Sequence, residues 1–149
     1  WYKAFPIVTC IVGNHGALPF RKAYAKGIPK KFMRTYEEIW KAPVGWKWTH
    51  SVIIDNVLYE HGTGSSGRNA AINRAIDNRM SVVIGHVHSC GGVQYTANVE
   101  DMIFGMNVGC GIDNESYAMA YGKPFTKKPT LGCGIVKEGG RHAIFVPMI

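Results

Sequence analysis

Three short segments of this chain place imidazole or amide groups at the ends of apolar runs. Gly13-Asn14-His15 follows the run from Phe5 to Val12, His61 closes Val57-Leu58-Tyr59-Glu60, and Gly85-His86-Val87-His88 closes Ser81-Val82-Val83-Ile84. Neutral imidazole nitrogen and amide oxygen are suitable ligands for divalent Zn, Mn or Fe. Two imidazoles at i and i+2 beyond a strand can converge on one ion or on two adjacent ions. Gly85 is expected where the backbone bends tightly towards a ligand. Carboxylates are scarce around the first segment, since no acidic residue precedes Glu37.

The elements that must position these groups follow from hydropathy. Ile7 to Val12 is apolar and β-branched and predicts a buried strand, with Pro6 tolerated at its start. Ala17 to Ala25 and Lys31 to Lys41 predict helices. In the second, Phe32, Met33, Tyr36, Ile39 and Trp40 recur at helical spacing and are expected to pack into the core. Trp46 to Ile54 and Val57 to His61 predict a hairpin across Asp55-Asn56. Arg68 to Arg79 predicts a helix and Ser81 to Ile84 a strand, which together suggest a β-α-β unit. Beyond His88 the runs Val93–Val99, Met102–Val108, Leu131–Val136 and His142–Val146 predict strands. The expected class is a layered α/β, α+β-like fold with a β-rich carboxyl half. Each histidine would leave the carboxyl end of a strand, where α/β sheets place ligands.

At 149 residues the chain suits one domain with a real core, and no repeat or linker divides it. The net charge of +7 resides entirely in residues 1–50, which hold nine Lys or Arg against Glu37 and Glu38. This suggests a lysine-rich solvated surface or attraction for phosphate-bearing partners. Cys10, Cys90, Cys110 and Cys133 show no CxxC spacing, which argues against a disulfide framework and for a reducing, cytoplasmic compartment. Cys10 is expected to be buried in its strand. No apolar run is long enough to span a bilayer, and no signal peptide is visible. Gly62-Thr63-Gly64-Ser65-Ser66-Gly67 lacks the Lys-Ser/Thr ending of a P-loop. It reads as a link to the next helix, with Ser66 as its N-cap. His50 and His142 read as ordinary structural histidines.

The order GNH, then a strand-ending His followed by Gly, then GHxH resembles the second half of the calcineurin-like metallophosphoesterase family. A histidine-triad hydrolase is excluded, because its third His would fall where this chain has Cys90. Asn107-Val108-Gly109-Cys110 is similar to the N-x-G-S segment many family members carry after GHxH. The resemblance implies part of the family's β-sandwich flanked by helices. It also implies hydrolysis of phosphoesters by metal-bound hydroxide attacking phosphorus. Asn14, His61 and His86 would bind one divalent ion (Mn, Zn, Fe or Mg), and His88 would belong to a second. His15 would stay off the metal and assist the leaving group or stabilise charge on the phosphate. The family's D-x-H and GDxxD segments are absent, so the single domain is expected to be amino-terminally truncated relative to the family.

Asp55, Asp77, Asp101 and Asp113 all lie downstream of GNH and cannot take the place of the missing acids by motif position. Gly16 also stands where an Asp or Glu usually follows GNH. At most one well-held ion and slow hydrolysis are therefore expected, unless a homo-oligomer completes the site. The expected substrate is a phosphoester, with nucleotides and nucleic acids both open. Two other readings remain: a non-catalytic remnant serving as a binding or structural domain, and a basic nucleic-acid-binding protein with a structural Zn. No membrane partner is expected.

Overall fold

The structure is a computed structural model that describes residues 1–112, 126 and 128–148; Asp113 lies outside them. The chain forms two compact units, Trp1–Val52 and Ile53–Ile149.

The first unit holds β1 (Val8–Ile11), α1 (Leu18–Ala25), a 3-10 turn (Lys30–Phe32), α2 (Tyr36–Trp40) and β2 (Trp46–Thr49). β1 and β2 pair in parallel, with Val8 opposite Trp46 and Ile11 opposite Thr49. Gly45 allows the close approach at their start, because a Cβ there would lie 2.1 Å from the Pro6 carbonyl oxygen. The single helix expected over 31–41 is broken. Met33 and Thr35 are extended, and Thr35 forms a capping box with Glu38 that begins a new, five-residue helix. The backbone N–H of Glu38 donates to Thr35 Oγ1 (3.3 Å), and that of Thr35 donates to Glu38 Oε2 (2.7 Å). The reciprocal cap satisfies two otherwise open donors, so the helix starts at Thr35 rather than running through it.

The apolar stripe expected in the core is accordingly split, and Phe32, Ile39 and Trp40 are exposed. Cys10 is half-buried rather than buried. The predicted run Trp46 to Ile54 also divides at His50 into β2 and β3 (Ser51–Ile54), which belong to different sheets.

The second unit is built on a five-stranded sheet. Its strands are β3, β4 (Val57–Glu60), β5 (Ser81–Ile84), β6 (Gly91–Ala97) and β7 (Met102–Val108), in the order β3-β4-β5-β7-β6. β4, β5 and β7 run parallel and β6 pairs antiparallel with β7. The turn between β3 and β4 has Asp55 and Asn56 both at positive φ (50° and 59°), as a two-residue hairpin turn that follows the strand twist requires. The short polar side chains of Asp and Asn tolerate that region.

α3 (Ala70–Asn78) covers one face of the sheet and the antiparallel hairpin β8 (Gly132–Lys137) with β9 (His142–Pro147) covers the other. Alternation along the strands sorts the core into two layers. Val82 and Ile84 pack with Ala70, Ala71 and Ala75 on the helix side. Val57, Val83, Phe104 and Met106 pack with Ala143 on the hairpin side. β5 is buried along its whole length, as a central parallel strand covered on both faces should be. Gly105 lets the helix lie against the sheet, since a Cβ there would come within 2.2 Å of the Ile72 nitrogen.

α3 is capped at Asn69, without a side-chain cap bond, rather than at Ser66. Gly67, at φ +80°, and Arg68 intervene between the loop and the first helical turn. Among the described residues, no helix is long and apolar enough to cross a membrane.

Candidate metal centre

His61 and His86 come together. The register sets Glu60 of β4 beside Ile84 of β5, so both histidines leave the same carboxyl edge of two adjacent parallel strands. His86 Nδ1 stands 3.1 Å from His61 Nε2, and the ring centroids are 4.9 Å apart at 68°. Without an ion, one nitrogen donates to the other's lone pair. With Zn–N bonds of about 2.0–2.1 Å, nitrogens on one tetrahedral ion stand roughly 3.3–3.4 Å apart. The observed spacing is that of a hydrogen bond and lies slightly below that separation.

Three features of the second unit hold the pair. Gly62 is buried at φ +87°, and a Cβ there would come 2.9 Å from Ile84 Cβ, so glycine lets the chain leave His61 tight against the end of β5. Glu60, one residue before His61, accepts both forks of the Arg74 guanidinium, Nε on Oε1 and Nη2 on Oε2 (2.9 Å). Nη1 of the same side chain donates to Ser65 Oγ at 3.1 Å. A bidentate arginine–carboxylate pair fixes geometry better than a single ion contact, and here it joins β4, α3 and the glycine-rich loop around His61. The hydrogen bond to Glu60 holds Arg74 above its ordinary value despite the opposing effect of burial. The loop thus serves as a strut for the strand end.

Gly85 plays a smaller part than its position suggested. Its φ is unexceptional, and a Cβ would meet only Val108 Cγ2 at an ordinary 3.6 Å. His88 is half-buried, and its carbonyl accepts the Thr130 N–H (2.8 Å), while the Thr130 carbonyl accepts the Cys110 N–H (2.8 Å). Thr130 therefore ties the GHxH loop to the end of β7. Gly109, at φ +69°, makes room, since a Cβ there would lie 2.4 Å from the Thr130 oxygen. Asn107, 5% exposed, donates from Nδ2 to the Arg68 carbonyl (3.1 Å), and its Oδ1 has no hydrogen-bond partner among the described residues.

Asn14 and His15 belong to the first unit, in the turn after β1, with Asn14 half-buried and His15 exposed. This turn is held from two sides. Arg21 Nη2 donates to the Asn14 carbonyl (3.3 Å), and the Tyr36 hydroxyl donates to the Gly16 carbonyl (2.9 Å). Burial raises the Tyr36 phenol above its ordinary value. His50 is exposed between β2 and β3, and His142 lies 3.9 Å from Glu138.

Among the described residues, no three His, Cys, Asp or Glu side chains gather in a group that could hold a metal ion. His61 and His86 are the two such side chains that the sheet edge brings within hydrogen-bonding distance of each other. Sequence reading named both histidines and missed Glu60, Arg74, Ser65 and Thr130. The one available signal was the glycine directly after His61, and nothing in the spacing pairs Glu60 with Arg74. Comparison of the chain with family models, with curated proteins and with solved structures finds no match.

Proposed function

We propose that the carboxyl edge of the five-stranded sheet is a divalent-metal site of a phosphoester hydrolase of the calcineurin-like metallophosphoesterase type. The observation that supports this is the 3.1 Å approach of His61 Nε2 and His86 Nδ1 at the ends of two adjacent parallel strands, from the two motifs the resemblance assigns to one ion. A bound divalent ion supplies Lewis acidity towards a phosphoryl oxygen and towards water. His61 and His86 hold the ion, and the Glu60–Arg74 pair keeps His61 oriented. In this reading His88 belongs to a second ion. Neutral ligands leave the cation's charge uncompensated, so affinity is low and one ion is held better than two. Hydrolysis is slow for the same reason.

The reading is tested by titrating the chain with Zn²⁺ in a calorimeter at neutral pH, alongside His61→Ala and His86→Ala. The expected result is about one weakly held ion in the parent chain and loss of that binding in either variant, since each removes one ligand of the pair. Binding that survives both substitutions would refute the site. Hydrolysis of an aryl phosphodiester with added Mn²⁺ gives the second readout, with a rate barely above background expected.

A further inference from the structure

The first unit contains a cavity of about 700 Å³ beside the Gly13-Asn14-His15 turn. Its size lies within the roughly 300–1,000 Å³ of small-molecule sites. Val12 and Thr49 close it at the carboxyl ends of β1 and β2, where the Val12 N–H donates to the Thr49 carbonyl at 2.8 Å. Ala17, Phe20, Arg21 and Tyr24 line it from one face of α1, as positions three and four apart on a helix do.

The wall is aromatic. Phe20 and Tyr36 rings lie 4.8 Å apart, and Tyr36 and Trp48 are nearly parallel (14°) with centroids 6.2 Å apart. Tyr24 stands at the rim, 84% exposed. Two fixed cations, Arg21 and Lys30, face the space against one acid, Glu37. One N–H of Arg21 bonds the Asn14 carbonyl, and its remaining N–H groups leave capacity for a bidentate anion.

Aromatic rings and two cations on one lining match a ligand with a flat aromatic part and an anionic part. We infer that this cavity binds a nucleobase bearing a phosphate, with the base on the Phe20–Tyr36–Trp48 wall and the phosphate at Arg21. Base–aromatic stacking tolerates any base, because every base has a π-face. Arg21 would draw the phosphate to the turn that carries His15. Binding in the cavity does not rest on the metal-site reading. Two sources share this chemistry, a free mononucleotide and the 5′-phosphorylated end of a nucleic-acid strand.

The test is a fluorescence or calorimetric titration of the full chain in EDTA with AMP, ribose 5-phosphate, adenosine and 5′-phosphorylated octa-adenylate. AMP should bind about tenfold or more tightly than ribose 5-phosphate, which lacks the stacking ring. Phe20→Leu, which removes one ring of the wall but keeps an apolar side chain, and Arg21→Gln, at an exposed position, should each weaken AMP binding about tenfold through lost stacking or phosphate contact. Tighter binding of the octamer than of AMP would assign the strand end and the reverse the free nucleotide, and both uphold the shared chemistry. Equal affinities for AMP and ribose 5-phosphate, or AMP binding unchanged in both variants, would overturn the inference. Because EDTA removes metal from the assay, failure here leaves the Zn²⁺ titration of His61 and His86 standing, and failure there leaves this one standing.

Discussion

Residues 1–52 and 53–149 use the same kind of raw material to different effect. The first unit contains all four Trp and ten of the seventeen aromatic residues of the chain, yet none of its residues, all of them described, is buried. Trp1, Ile7, Tyr24 and Val44 are more than four-fifths exposed. The second unit buries two layers of apolar side chains on the opposite faces of one sheet. The difference lies in sheet architecture. A parallel sheet gains its stability from cover on both faces, and β5 has it from α3 and from the β8–β9 hairpin. β1 and β2 form a two-stranded parallel sheet, and two strands alone gain little from burial to offset the entropy of ordering the chain. The positive charge is concentrated in the same uncovered unit, so the His61–His86 pair sits in a well-packed, neutral unit and the basic cavity in a loosely packed one.

The sharpest way to break this contrast is native-state hydrogen exchange. Backbone amides of β5 should open only with global unfolding, while those of β1 and β2 should exchange through local opening far below that limit. Equal protection in the two sheets would show that the first unit is stabilised by something other than its own packing. Next in size is core truncation. Phe104→Ala, at a site 1% exposed, should lower unfolding free energy by about 3–5 kcal/mol. Trp40→Ala, at a site 62% exposed, should change it by less than about 0.5 kcal/mol. Urea denaturation of the two variants measures both.

The glycines sharpen the same comparison. Gly105→Ala drives a Cβ into the Ile72 backbone and should cost about 1–3 kcal/mol through overpacking. Gly16→Ala meets only the Gly13 oxygen at 3.7 Å and should be neutral or stabilising by up to about 1 kcal/mol, because it restricts the unfolded chain.

The smallest effect concerns pH. The Tyr59 phenol is raised above its ordinary value of 10.0 by burial and by the Asp55 charge. A raised phenol contributes its full stability below pH 10.0 and loses it as pH climbs through the folded-state value. Stability of the parent chain should therefore decline above pH 10 more steeply than that of Tyr59→Phe, measured by urea midpoints at successive pH values. Parallel curves would show that Tyr59 ionises as freely in the fold as out of it.

Local pattern was enough where a signal and its cause lay close together in the chain. The strand Met102–Val108, the strand Ser81–Ile84 and the turn at Asp55-Asn56 follow from β-branched runs and from residues that tolerate positive φ. The helix expected over 31–41 failed because a periodicity of apolar residues says nothing of a competing cap, and Thr35 with Glu38 supplied one. The aromatic stripe then lost its continuous face, and its exposure could not be read from hydropathy. Ser66 failed as a cap for a related reason: the loop needed two more residues before its backbone turned helical.

The sequence by itself determined which residue types were available to bind a cation, and that His61 and His86 would each end a strand. Hydropathy and turn chemistry act over a few residues, and both histidines lie at such local boundaries. Only the tertiary structure decided that the two strands are neighbours in parallel register, which brings imidazoles 25 positions apart to 3.1 Å. It also decided that Glu60 would meet Arg74 and that Gly62, rather than Gly85, would be the glycine the site requires. These contacts are set by how α3 and β5 pack against β4, and packing depends on side chains far apart in the chain.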